Sequence, residues 1–217
     1  MKVPILVLII TLPALSVAET VADLSLFKAE YIATFQGLPI EAKGVRELQR
    51  LENGGYRLTS SATSMFARVI ETSEFSFDDG QLMPSRYNYT RSGLGKKKQA
   101  FITFDYGSKI FQHQDGTSEL IKGTLDKLSY QYQLKLDLAN LTFSEHSSSI
   151  FEYAVADGDK LKYYRFRIAG EEMLKTPTGA ILTVKLERIR EHDSDRQTIF
   201  WLAKDHNYLL TKFKQQG

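Results

Sequence analysis

The stretch LDKLSYQYQLKLDLA, residues 125–139, decides how the chain is organised. Leu128, Tyr130, Tyr132, Leu134, Leu136 and Leu138 alternate with mostly polar residues, the period of a strand. Leu125, Leu128, Tyr132 and Leu136 also share one helical face, with Leu134 and Leu138 beside it. Gly123-Thr124 supplies a break and a Thr N-cap, and Asp126 suits a first helical turn. A run of this length without Gly or Pro exceeds the usual strand. Periodicity favours a strand; length and cap favour a helix.

On both sides the signal is plainer. Phe27, Ala29, Tyr31, Ala33 and Phe35 alternate with Lys28, Glu30, Ile32 and Thr34, and a strand sends these sets to opposite faces. Gln36-Gly37-Leu38-Pro39, Asn53-Gly54-Gly55, Asp78-Asp79-Gly80, Gly107-Ser108, Asp157-Gly158-Asp159 and Thr176-Pro177-Thr178-Gly179 read as turns. Between them lie strand-like segments at 40–48, 56–62, 69–77, 85–91, 99–106, 109–114, 150–155, 161–168, 180–191, 197–203 and 208–213. Short strands punctuated in this way predict antiparallel pairing rather than βαβ units.

The N-terminus reads as an address. Met1-Lys2, the apolar run VPILVLIITL at 3–12, Pro13, and Ser16 and Ala18 at −3 and −1 form the pattern of a secretory signal peptide. Cleavage is expected before Glu19, with a cut after Ala22 the weaker option. The run is too short for the ~20 apolar residues of a membrane span. Residues 1–18 are therefore expected to be a signal peptide and residues 19–217 a single exported, periplasmic domain. No later stretch approaches a transmembrane segment. Lys plus Arg is 28 against 26 for Asp plus Glu, so no strong basic field points to nucleic acid. Cysteine is absent, which excludes disulfides, a Cys nucleophile and thiolate metal sites.

Known chemical motifs are missing. His113, His146, His192 and His206 are scattered, with no metal-binding spacing. No G-x-S-x-G or S-x-x-K set occurs, and Ser144-Glu145-His146 reads as a polar loop, because triads are assembled across a fold. Asp78-Asp79, Glu171-Glu172 and Asp193/Asp195 lie beside turn residues and read as solvated acids. Gly93-Leu94-Gly95-Lys96-Lys97-Lys98 lacks the phosphate-loop pattern and reads as a mobile basic hairpin loop, with contact to lipid headgroups or glycan phosphates as its functional alternative. Aromatic residues reach 12% and fall on alternating positions. They suit a pleated core, or a curved sheet whose concave face holds an apolar ligand, with Tyr as the polar handle.

Four ordered stretches carry a resemblance: Asp79-Gly80-Gln81-Leu82-Met83-Pro84, the run Asp126 to Leu134, Glu172-Met173-Leu174-Lys175-Thr176-Pro177-Thr178-Gly179, and Trp201-Leu202-Ala203. Behind a signal peptide, they resemble domain-of-unknown-function family 3108 of Gram-negative bacteria, from about Phe27 to Phe213. Lys204 and Leu210 stand where that family often has Pro. The resemblance implies a periplasmic protein and a helix over Leu125 to Ala139. It transfers no activity and no catalytic residues.

The resulting expectation is a mainly β fold. One curved antiparallel sheet forms a half-barrel, similar to the lipoprotein carriers, with one principal helix on its concave face. The functional expectation is a non-enzymatic periplasmic protein that binds or carries an apolar envelope ligand such as a lipid, without cofactor or metal. Tyr31, Phe35, Tyr130, Tyr132 and Trp201 are the candidate ligand contacts in the concave interior. The rival readings are a structural or interaction module with an envelope protein partner and, third, a hydrolase of envelope glycans or lipids.

Overall fold

Turn chemistry and alternation act together to make long hairpins. The structure, a computed structural model, describes residues 24–34, 41–93, 95, 97–141, 149–176, 179–190 and 196–216. The expected signal peptide, residues 1–18, and Phe35 lie outside the described residues. Eight strands follow one another as a meander: β1 (Phe27–Thr34), β2 (Glu41–Arg50), β3 (Tyr56–Thr63), β4 (Ala67–Asp78), β5 (Gln81–Gly93), β6 (Lys98–Asp105), β7 (Ile110–His113) and β8 (Gly116–Glu119). The β4–β5 hairpin turns on Asp79 and Gly80, at φ 45° and 76°. Two central residues with positive φ match the right-handed twist of the flanking strands.

After β8 the chain crosses to a second sheet. Its strands are β9 (Leu125–Asp126), β10 (Ile150–Asp157), β11 (Lys160–Thr176), β12 (Gly179–Ile189), β13 (Gln197–Ala203) and β14 (Leu209–Gln216), in the order β14-β13-β12-β11-β10-β9. The strands thus form two hydrogen-bonded sheets that curl into a half-barrel, where one continuous sheet was expected. The break falls at β8, whose Ser118 hydroxyl donates to the Asp159 carbonyl at 2.8 Å across the seam. All pairings are antiparallel except β9 with β10. β11 is longer than its sequence pattern, because a bulge between Ile168 and Gly170 lets the polar stretch 170–176 continue the ladder.

The stretch 125–139 is divided. Leu125–Asp126 is strand β9, and helix α1 spans Ser129–Ala139. The helix therefore starts later than residue 125. Thr124 does not cap it, since its hydroxyl donates to the Ile121 carbonyl at 2.8 Å. Asp126 does the capping: Oδ1 accepts the N–H groups of Leu128 and Ser129, both at 2.8 Å, while Ser129 Oγ accepts the Asp126 N–H at 2.8 Å. This reciprocal arrangement satisfies helix-end donors that would otherwise be orphaned.

α1 lies between the sheets. Tyr130 packs on Tyr153, Tyr164, Phe166 and Phe200 of the second sheet. Tyr132 packs on Phe27 and Phe75 of the first. Two helical residues two apart are separated by about 200°, so they point to opposite sides. Strand-like alternation on this helix places one large side chain against each sheet in turn. Leu134, Leu138, Leu58, Phe111, Phe166 and Leu186 complete a common core, each burial worth about 1.5–3 kcal/mol. Among the described residues, no helix is long and apolar enough to cross a membrane.

Candidate functional site

Residues on the inward face of a strand share its parity. In most of this molecule that face is apolar. At one end of the half-barrel it becomes charged. On β2 the inward series Leu48 gives way to Arg46. On β4, Phe75 is followed by Ser73 and Glu71. On β12, Val184 and Leu186 lead to Arg188 and then Arg190, just past the strand. On β10, Val155 leads to Asp157; on β13, Phe200 leads to Thr198. The register confirms the side of the sheet: Arg188 lies opposite the core residue Phe166, and Thr198 opposite Gln215.

This end is an open cleft of about 800 Å³. It lies between β1 and β14, the end strands of the two sheets, and the start of α1. The Tyr31 hydroxyl donates to the Leu210 carbonyl at 2.7 Å and ties the two end strands together. Arg46, Lys127, Lys162, Arg188, Arg190, Arg196 and Lys212 line the cleft against two carboxylates, Glu71 and Asp157. Asp157 is already engaged, by Lys162 at 2.7 Å and Lys127 at 3.2 Å. Burial alone would raise its carboxyl, but these lysines outweigh it and hold the group at about 2. Burial raises the Glu71 carboxyl above the ordinary range, against the pull of Lys127 and Arg46.

The arginines are held rather than free to swing. Arg46 is 7% exposed and donates to Gln131 Oε1 at 2.7 Å. Burial pulls its guanidinium below the ordinary value, while Tyr31, Tyr130 and Glu71 oppose that shift. The Arg188 guanidinium lies 3.4 Å above the Tyr164 ring, a cation–π geometry. Arg190 donates to Thr198 Oγ1 at 2.8 Å. The Nε atoms of Arg188 and Arg190 are buried without a hydrogen-bond partner among the described residues. Buried unpaired donors are rare and call for an explanation. The rim is apolar in part: Ile32 is 71% exposed and Phe213 is 49% exposed. The arrangement presents fixed cationic donors at the base and apolar contacts at the mouth.

Of the residues singled out from sequence, Tyr31 and Tyr130 line this cleft. Tyr132 lies in the core against the first sheet, with the Lys135 ammonium 4.7 Å from its ring. Trp201 is not in the concave interior. Its neighbours Phe200 and Leu202 take the inward face, so Trp201 packs with Ile199 and Leu174 on the other side of the sheet and donates to Glu172 Oε2 at 2.8 Å. Phe35 falls outside the described residues. The sequence reading missed Arg46, Arg188, Arg190, Glu71 and Asp157. Their signal was present: charged residues at the core phase of otherwise apolar strands.

The other chemical candidates lie elsewhere. His113 is buried. Its Nδ1 accepts the Asp115 N–H at 3.3 Å, which leaves Nε2 to donate to Ser118 Oγ at 3.1 Å. His206 is exposed, and His146 and His192 are outside the described residues, as are Ser144-Glu145-His146 and the Asp193/Asp195 pair. Glu171 pairs with Lys204 at 2.6 Å. Lys97, just before β6, and Lys98, its first residue, are exposed and are not among the cleft-lining residues. Among the described residues, no three His, Asp or Glu side chains are grouped to hold a metal.

A family model, "Protein of unknown function (DUF3108)", matches residues 30–216. Among solved structures, the chain is similar to the crystal structure of a beta-barrel-like protein of domain of unknown function DUF1849 from Brucella abortus. The identity is 12%, the TM-score is 0.52, and the match covers 87% of this chain and 90% of that one. At that identity the likeness is one of fold. No curated protein matches.

Proposed function

The chain belongs to the DUF3108 family of proteins of unknown function, and from that premise we propose that it is a non-enzymatic periplasmic protein that binds or carries an amphiphilic envelope ligand such as a lipid. The observation that carries the reading is the cleft at the open end of the half-barrel, with fixed cations at its base and exposed Ile32 and Phe213 at its mouth. Ligand sites are commonly concave and lie at the mouths of β-barrels. The core beneath it is filled by α1, so the ligand sits in the cleft rather than deep between the sheets. Export rests on the signal pattern of residues 1–18. The double engagement of Asp157 by Lys127 and Lys162 favours binding over hydrolysis.

A second reading has its own observation. β1 and β14 are end strands with exposed apolar residues, and such edges can accept a partner strand. Native mass spectrometry of the protein purified from a Gram-negative periplasm without detergent separates the two. A discrete excess mass that organic extraction releases as a lipid is the expected result. A bare mass, together with a crosslinked protein partner through β1 or β14, would replace the ligand-binding reading with the interaction module.

A further inference from the structure

We infer that the charged end of the cleft is a phosphoryl-oxyanion site, with Arg46, Arg188 and Arg190 as its donors; this rests on the ligand-binding reading and names the chemistry of the ligand's polar group. Three guanidinium groups converge there from both sheets, on the inward faces of β2 and of β12 with its continuation. One cleft carboxylate, Asp157, is engaged by two lysines, and the other, Glu71, sits in surroundings that disfavour its charge. None of the three arginines has an ion-pair partner among the described residues. A fold that places uncompensated like charges on its inward face does so at a cost to itself, and sites of function are where such costs are retained.

The donor type narrows the ligand. Arginine presents its N–H groups as a planar fork that fits phosphate oxygens bidentately, and it carries less hydration than lysine. Each arginine is oriented by a separate contact. Gln131 holds Arg46, the Tyr164 ring lies under Arg188, and Thr198 holds Arg190. A guanidinium carries five N–H donors, so these contacts leave others over on each arginine. A carboxylate has two oxygens and one charge. A phosphate mono- or diester has more acceptor oxygens in a tetrahedral array, and three convergent guanidinium groups suit it better. The same chemistry is carried by a lipid headgroup and by free phosphate. The exposed Ile32 and Phe213 at the mouth favour the headgroup.

The test is isothermal titration calorimetry of the purified protein with dodecyl phosphate, inorganic phosphate and dodecyl maltoside. Dodecyl phosphate is expected to bind, with an affinity that falls as salt is added. Inorganic phosphate is expected to compete with it in the unaltered protein, a result that needs no variant. Arg188→Gln combined with Arg190→Gln should weaken dodecyl phosphate at least tenfold. Arg188→Lys, which keeps charge but not the fork, should fall between. Arg167→Gln, outside the cleft and paired with Glu187, should bind as the parent does. Equal affinity for dodecyl phosphate and inorganic phosphate would support the oxyanion site with free phosphate as its source; much tighter dodecyl phosphate would support a headgroup. Binding of dodecyl maltoside as tight as that of dodecyl phosphate would overturn the oxyanion site and leave the ligand-binding reading standing. No binding of any of the three would overturn both.

Discussion

Replacing Gln133 by Met tests how α1 is fastened between the sheets. Gln133 is buried on the helix. Its Oε1 accepts the Leu82 N–H at 2.9 Å, and its Nε2 donates to the Gly80 carbonyl and to Asp137 Oδ1, both at 2.8 Å. Methionine has nearly the same length and none of these groups. Leu82 is 2% exposed, so its N–H becomes an orphaned buried donor at a cost of about 1–3 kcal/mol. Gly80 and Asp137 are only half-buried and can turn to water, at about 1 kcal/mol or less each. The added apolar burial returns about 1 kcal/mol. The expected net loss is about 2–3 kcal/mol, or roughly 4–12 °C in Tm for a domain of this size. Urea unfolding followed by tryptophan fluorescence and circular dichroism measures it, with the midpoint falling and the slope unchanged. Gln133→Glu should cost more than Gln133→Met at pH 7, because a carboxylate donates nothing and faces Asp137. The gap should close toward pH 5, where a protonated Glu can donate. A Met variant within about 0.5 kcal/mol of the parent would refute this account of the helix anchor.

Three further outcomes are expected. Burial pulls the Lys135 ammonium down to about 8. Its unfolded value is higher, so the unfolded chain holds more protons between about pH 8 and 10.4, and stability rises with pH across that window. Lys135→Met should therefore gain about 1 kcal/mol at pH 7, after allowing for lost ring contacts, and the gain should vanish by about pH 10.5; a pH-independent difference in urea midpoints would contradict this. Asp157, held at about 2 by its lysines, gives stability that is present above about pH 4 and is lost as pH falls through 2. Because the pair is partly exposed, Asp157→Asn should cost only about 1 kcal/mol at pH 7 and nothing near pH 2, and an equal loss at both pH values would show that the charge is not the cause. A Cβ on Gly93, at φ 113°, would meet the Phe66 carbonyl oxygen at 2.2 Å and Ala67 Cα at 2.7 Å. Gly93→Ala should then cost about 3 kcal/mol, against about 1 kcal/mol for Gly80→Ala, whose Cβ meets nothing within 4 Å; calorimetric melting of the two variants ranks them, and similar losses would speak against the clash.

Local chemistry alone determined the mainly β class of this protein. The turns at Asp79-Gly80 and Asn53-Gly54-Gly55 close hairpins because the positive φ values of Asp79, Gly80 and Gly54 are set within a few residues, and alternation fixes which face of each strand is apolar. The helix was legible only in part. Length and breaks in residues 125–139 announced it, but its strand-like period makes sense only once a sheet stands on each side of it, with Tyr130 against one and Tyr132 against the other. Asp126 looked like a first-turn residue but lies before the N-cap Leu128, where its carboxylate accepts the N–H groups of Leu128 and Ser129, because β9 pairs with β10 and ends just before the helix. The division into two sheets, the outward turn of Trp201 and the convergence of Arg46 with Arg188 and Arg190 were decided by the tertiary structure. Parity within a strand can say that a residue faces inward. It cannot say which inward residues, more than a hundred positions apart in the chain, will share one cleft, because that depends on how the two sheets curl and where their end strands meet.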